Sequence, residues 1–293
     1  MALKLQPLSS PYTVPKPYDH AKATAVGKLT VLRDNFKLTT WIALGALTQG
    51  IASYFLPPRH ALLPVTFLLL YRGLRSVLMA QGVLPNSQMD GVVMGKFTAQ
   101  IPGPDGSPPT APADQDVAAI LLGARSNHAL GIFAKGFREV GEHLDAMIVD
   151  LHEHGEKYGF LGNTRWIGNE RETNNQVMTI CYFRTMEGLH NFAHGPIHRK
   201  AWDWWNNVTK TFPYLSIMHE VYHAPKGHWE NIYANCHLNG LSNTTAVAVL
   251  DGEPTRPLYQ AGRGSLRTQL GRLGRGDGTE HDKYGFSPYA EQA

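Results

Sequence analysis

Tyr214–Ala224 reads "YLSIMHEVYHA", and its centre, "HEVYH" (His219–His223), decides the fold. On a helix, H-E-x-x-H stacks two imidazoles one turn apart beside a glutamate, the arrangement that holds zinc in metalloproteases. On a strand the two imidazoles also share a face, but four residues at about 3.3 Å each set them roughly 13 Å apart. One ion cannot bridge that gap. Pro213 and Pro225 bound the segment, which holds Ile217, Val221 and two tyrosines, residues suited to a pleated surface. No third ligand follows at protease spacing. The segment reads as a strand, and no metal site is expected on it.

The same reading extends outward. "DVAAILLGARSN" (116–127) is a short apolar run ending in polar residues, a buried strand. Residues 130–154 carry Ile132, Phe137, Val140, Leu144, Ile148 and Leu151 at helical spacing. "GFLGNTRWIGN" (159–169) and "QVMTICYFR" (176–184) read as strands joined by a polar turn. A second helical stretch, 186–208, breaks near Gly195–Pro196. With 214–224 as the last strand, the order is β-α-β-β-α-β, the ferredoxin-like unit of an α+β fold. Helices cover one sheet face, and the other needs a cover, usually a second copy.

This unit, residues 117–250, is one of five expected segments. Residues 1–37 are polar, with six Lys/Arg against two Asp/Glu. Residues 38–84 form a hydrophobic helical anchor or hairpin. Leu38–Leu56 runs without a charge, and at about 1.5 Å per residue it nearly crosses a hydrocarbon core of about 30 Å. The next run, Ala61–Tyr71, is too short to span alone. A buried helix pair or a lid over the active site is the alternative. Lys28, Arg33 and Lys37 precede the runs and Arg72 and Arg75 follow, so charge does not fix the topology of a single span. Residues 85–116, with "PGPDGSPPTAPADQD" (102–116), read as a linker, and 251–293 as a Gly/Arg-rich irregular tail.

The chain has 293 residues, 43% of them hydrophobic and 17% charged, with net charge +3. That balance gives no basic patch for nucleic acid. Cys181 and Cys236 form no C-x-x-C, and both read as reduced thiols. No G-x-G-x-x-G follows a strand, and neither a P-loop nor G-x-S-x-G occurs. Dinucleotide hydride transfer, phosphoryl transfer and elbow-type hydrolysis therefore lack their loops.

Several stretches together resemble one family. "IMHEVYHAPKGHWENIYANCHLNGL" (217–241) is similar to a strand–turn–strand ending of the DUF4188 family, the Af470-like monooxygenases. "MGKFTAQI" (94–101), "LLGARSN" (121–127), "GFLG" (159–162) and "YFRTMEGLHNFAHGPIHRKAW" (182–202) resemble further family stretches in the same order. The resemblance implies a dimeric α+β barrel of the antibiotic-biosynthesis-monooxygenase kind, hence a homodimer. It also implies oxidative tailoring of a hydrophobic terpenoid or polyketide intermediate in secondary metabolism. His223, and Cys236–His237 after Asn235, depart from it and leave substrate and cofactor open.

The expected catalytic residues are His219, His198, Arg125 and Asn127: a histidine as base, the Arg/Asn pair for developing negative charge. Trp202, Tyr182, Arg184, Tyr222 and Glu220 are expected to bind substrate. No cofactor is required if the substrate, as an enolate or phenolate, itself reduces oxygen. The alternatives are a haem enzyme of the same superfamily, with His219 or His198 as axial ligand, and a non-catalytic membrane-tethered binding protein. The expected partners are a small hydrophobic substrate and a membrane, not nucleic acid. The expected location is membrane-associated, at the endoplasmic reticulum with the catalytic domain cytosolic.

Overall fold

A computed structural model describes residues 5–278 except Ser10. Its centre is a four-stranded antiparallel sheet of order β3-β4-β2-β5: β2 Val117–Ser126, β3 Phe160–Ile167, β4 Val177–Phe183 and β5 Leu215–Ala224. The stretch containing HEVYH is therefore a strand, with His219 opposite Leu122 and His223 opposite Ala118. Between strands β2 and β3 lies helix α4 (Phe137–Glu153), followed by the single turn α5 (Gly155–Tyr158). Between β4 and β5 lie α6 (Met186–Ala193) and α7 (Pro196–Val208).

Local chemistry sets these bounds. Gly136, at φ 88°, sits where a Cβ would meet Phe212 at 2.8 Å, so α4 starts at Phe137 and not at 130. Thr185 caps α6 by accepting from the Gly188 N–H at 3.0 Å, and Pro196 opens α7 at a position where its missing N–H costs nothing. One sheet face packs on the helices. Ala118, Cys181 and Phe183 meet Ile148, Leu151, Leu189 and Phe192 in the main core. Burial pushes the Cys181 thiol up to about 12, and both cysteines are free.

The flanking segments fold differently from expectation. Residues 85–116 carry strand β1 (Val92–Ala99), and the C-terminal region carries β8 (Glu253–Thr255), β9 (Leu258–Gln260) and the one-turn α8 (Gln269–Arg272). Strand β1 is the centre of a second sheet, flanked by β6 (Tyr233–His237) and β9, while β7 (Ala248–Leu250) pairs with β8. Phe97, Val93 and Leu258 form the core of this second sheet. The linker and the tail as far as Gly278 are thus parts of the folded body, and the rest of the expected tail, 279–293, lies outside the described residues. Arg272, in the stretch expected to be an irregular tail, is buried and ion-pairs with Glu230 at 2.5 Å.

Three helices precede β1. α1 (His20–Asp34) lies against the body, and α2 (Leu38–Phe55) and α3 (Pro58–Ala80) pair with each other. Gln49 joins the pair by donating to the Ala61 carbonyl at 3.2 Å. Among the described helices α3 alone is long and apolar enough to cross a membrane, with mean hydropathy 1.4. The second run, expected to be too short, continues to Ala80, whereas α2 is the shorter helix. Phe67 and Leu70 stand 73% and 67% exposed on α3.

Candidate active site

The expected catalytic set is divided by the sheet. Side chains alternate along a strand, and the pairing register puts His219 and Val221 on the helix side with Leu122 and Ile120. Arg125, Glu220 and Tyr222 point the other way, as does Tyr182. On the helix side His219 is exposed, and the pKa of His198, on α7, is lowered, chiefly by burial. Trp202 on α7 is 48% exposed, and the break at Gly195 takes His194 out of line with His198 and Trp202.

On the opposite face Arg125 pairs with Glu170 at 3.4 Å, and Asn127 is exposed beyond the strand end. Tyr222 donates to Glu220 in the open. Arg184 binds the Pro102 and Gly103 carbonyls and so straps down the 102–103 loop. Tyr182 is largely enclosed, and burial pushes its hydroxyl up to about 12. His198, packed against Phe192, and His219 both lie on the helix side of the sheet, whereas Glu220 and Tyr222 meet on the other side, so the structure does not unite the two groups.

A different set of residues converges elsewhere. A cleft of about 1290 Å³ runs beneath α1, between that helix, α4 and the edge strand β3. Val26, Leu32, Ile132, Val140, Leu144 and Val177 give it apolar walls. Tyr18, Asn163, Arg165, Thr179 and Arg256 also line it. Each of these five has a buried side-chain atom with no hydrogen-bond partner: Oη, Nδ2, Nε, Oγ1 and Nε respectively. Thr179 is 1% exposed, Asn163 4% and Arg256 8%. Buried polar atoms are almost always satisfied; of the eight orphans among the described residues, three belong to His20, Arg125 and His198, and the other five belong to residues lining this one cleft, which makes it the candidate ligand site.

The local fold holds these groups in place. Asn163, Arg165 and Thr179 alternate onto the helix side of β3 and β4, where Arg165 lies directly opposite Thr179. His152 on α4 bonds Asn163 Oδ1 at 2.8 Å, and Tyr18 stacks on the imidazole at 3.9 Å. Burial lowers the His152 pKa, so at neutral pH the ring is uncharged, with its proton on Nε2 where Asn163 accepts it. That bond fixes the amide and turns its Nδ2–H donors away from His152. Arg165 pairs with Asp145 at 2.9 Å. Gly162, at φ 142°, has no room for a Cβ, which would lie 2.8 Å from Thr244 Cα, and this close approach lets Thr245 reach the cleft. Arg256 has no side-chain partner among the described residues, and burial lowers its pKa.

α1 roofs the cleft although none of its residues is buried. It is pinned by polar contacts at both ends. Near the start Thr24 donates to Asp145 at 3.5 Å. At the far end the Asp34 carboxylate accepts from Asn175 N and Nδ2 at 2.7 and 2.8 Å, and Asn35 accepts from the Ile132 N–H at 2.9 Å.

The monooxygenase af470-like family profile matches residues 117–241. Monooxygenase af470 of Aspergillus fumigatus is 33% identical over 281 residues, covering 94% of this chain and all of that protein. The chain belongs to the monooxygenase af470-like family. With that family it is an enzyme of the oxidoreductase class. Solved structures are more distant. An aldoxime dehydratase in complex with butyraldoxime shares 16% identity at TM-score 0.37, covering 52% of this chain and 44% of its own. SnoaB, a cofactor-independent oxygenase from Streptomyces nogalater, shares 11% at TM-score 0.24, covering 36% of this chain and 90% of its own.

The family-matched segment supplies Asn163, Arg165 and Thr179, whereas Tyr18 and Arg256 come from outside it. None of the five was singled out from the sequence. Asn163 and Arg165 share strand parity, which is a visible signal. Tyr18, Thr179 and Arg256 carry no local mark of a site.

Proposed function

We propose that this af470-like enzyme oxygenates a small apolar molecule in the cleft beneath α1 without a cofactor. The observation that carries the reading is the convergence of five unsatisfied buried polar atoms on one apolar cleft. A substrate with an acidic C–H beside a carbonyl enters with its carbonyl oxygen toward the Asn163 Nδ2–H donors. Fixed donors and positive charge lower the cost of ionising it by meeting the oxyanion, and the proton passes to water in the cleft, to be taken up again when the second oxygen atom leaves as water. The resulting enolate carries the electrons that oxygen needs. Oxidation of a methylene to a carbonyl consumes one O2: one oxygen atom stays on carbon, the other leaves as water with the two hydrogens, and the balance closes with no external reductant. In this scheme His152 is a positioning residue, which locks Asn163 and carries Tyr18.

The haem reading finds less support. His198 and His219 are not among the residues that line the cleft, and His152 presents its ring faces and edge to Tyr18 and Phe160.

The α2–α3 pair, apolar and outward-facing, is read as the membrane attachment. A second copy is read as the cover for the open sheet face, where Leu121, Ile180 and Met178 stand half-buried. The test uses the full chain in lipid nanodiscs with the pathway intermediate and labelled dioxygen. One labelled oxygen in product without added cofactor is expected. Dependence on haem, flavin or a metal would overturn the cofactor-free scheme.

A further inference from the structure

The charges around the cleft do not balance. Its lining contains three carboxylates, and each is engaged within the protein: Asp19 accepts from the Lys22 N–H at 2.9 Å, Asp145 pairs with Arg165 and Glu142 with Arg138. Arg256 is 8% exposed and has no ion-pair or hydrogen-bond partner for its guanidinium among the described residues. A buried charge without a partner is unfavourable, and folds retain one where a ligand of opposite sign neutralises it. A guanidinium presents two parallel N–H donors that match a carboxylate.

The position of this group matters as much as its charge. The Arg256 backbone donates to the Thr13 carbonyl at 2.8 Å, which keeps the residue at the end of the cleft where the chain enters α1 through Lys16 and Tyr18. That end is cationic and polar. The other end is bounded by Val31, Leu32, Ile132 and Phe137, with the charges of Arg138 and Glu142 paired to each other beside them, and it adjoins the start of α2. α1 has 15 residues, so it roofs a path of roughly 22 Å between the two ends.

We infer that the cleft takes an elongated apolar carboxylic acid, its carboxylate seated on Arg256 and its hydrocarbon body lying under α1 toward the base of α2. This rests on reading the cleft as the substrate site and names the class of substrate. The acid group is a handle, remote from the carbon that is oxidised. Because Tyr18 and Arg256 both lie outside the family-matched segment, the choice of head group belongs to the flanking regions of the chain.

The experiment titrates dansylaminoundecanoic acid and its neutral amide into the full chain in lipid nanodiscs, with empty nanodiscs subtracted. The acid is expected to bind at least about tenfold tighter, the low end for a charge-assisted hydrogen bond. Arg256→Met should erase the difference by weakening the acid alone, and it should raise the melting temperature of the empty protein, since it removes an unpaired buried charge. Equal binding of acid and amide to the native chain would overturn the inference. So would an Arg256→Met chain that melts lower and keeps the acid preference. Ala23→Trp, which fills the cleft from α1, separates the two claims. If both probes bind equally and both are lost in that variant, the acid assignment falls and the cleft stands. If Ala23→Trp leaves both bound, the cleft reading falls, and this inference with it.

Discussion

Thr179→Val tests whether the cleft's orphaned polar groups are kept for a ligand. Thr179, on β4, is 1% exposed, and its buried hydroxyl has no hydrogen-bond partner. An unsatisfied buried polar group costs about 1–3 kcal/mol. Valine replaces the hydroxyl by a methyl of nearly the same shape and has high strand propensity, so the substitution removes this cost and opens no cavity. The expected gain is about 1–2 kcal/mol. For a folded body of this size each 1 kcal/mol moves the melting temperature by roughly 2–4 °C, so the variant should melt about 2–8 °C higher. Thermal denaturation followed by near-ultraviolet circular dichroism, with urea melts as a second probe, measures it. Product formation should fall in the same variant, because the donor is lost from the site. If Thr179→Val melted lower than the native chain by a similar margin, the hydroxyl would be serving the fold, and the argument from orphaned groups would lose its footing.

Other outcomes follow from the same geometry. Asp34→Ala removes a carboxylate that accepts two hydrogen bonds from Asn175, and should cost about 1.5–3 kcal/mol. Hydrogen exchange should locate the loss in α1 and not in the four-stranded sheet. His152 has a folded pKa below its unfolded value. The unfolded chain therefore binds the extra proton first, and this contribution to stability is present above about pH 6.5 and lost as the pH falls below it. His143 and His198 shift the same way, so the comparison is with His152→Gln, whose stability should fall less between pH 7.5 and 5.5. Leu151→Ala, in the core between α4 and the sheet, should cost about 2–5 kcal/mol without changing the relative binding of acid and neutral probes.

Much of the β-α-β-β-α-β body was legible because its signals are local. Alternation marked β3 and β4, the proline-bounded run marked β5, and Gly195–Pro196 marked the break between α6 and α7. The candidate site was not legible, for two physical reasons. Parity along one strand shows which side chains share a face, but the register between strands decides which faces coincide. Arg125 and His219 both lie on strands that the sequence marks, yet the pairing of Leu122 with His219 puts them on opposite sides of the sheet. The second reason concerns the flanks. α1 shows no apolar stripe because it covers a cavity instead of packing into a core, and polar contacts such as those of Asp34 and Thr24 hold it. Arg256 lies in a stretch whose composition predicts irregular chain. Its burial comes from the strand that follows it, β9, pairing with β1 more than 150 residues earlier.

On the proposed function, catalysis takes place under α1 and not at the HEVYH strand. Turnover of Asn163→Ala and His219→Ala, measured side by side as product formed by the reconstituted pathway, tests it most directly. Loss of a donor aimed at developing charge costs about 10²–10³ in rate. Asn163→Ala should fall by that much, while His219→Ala stays within a few-fold of the native chain. A collapse with His219→Ala and near-native turnover with Asn163→Ala would move the active site to the HEVYH strand.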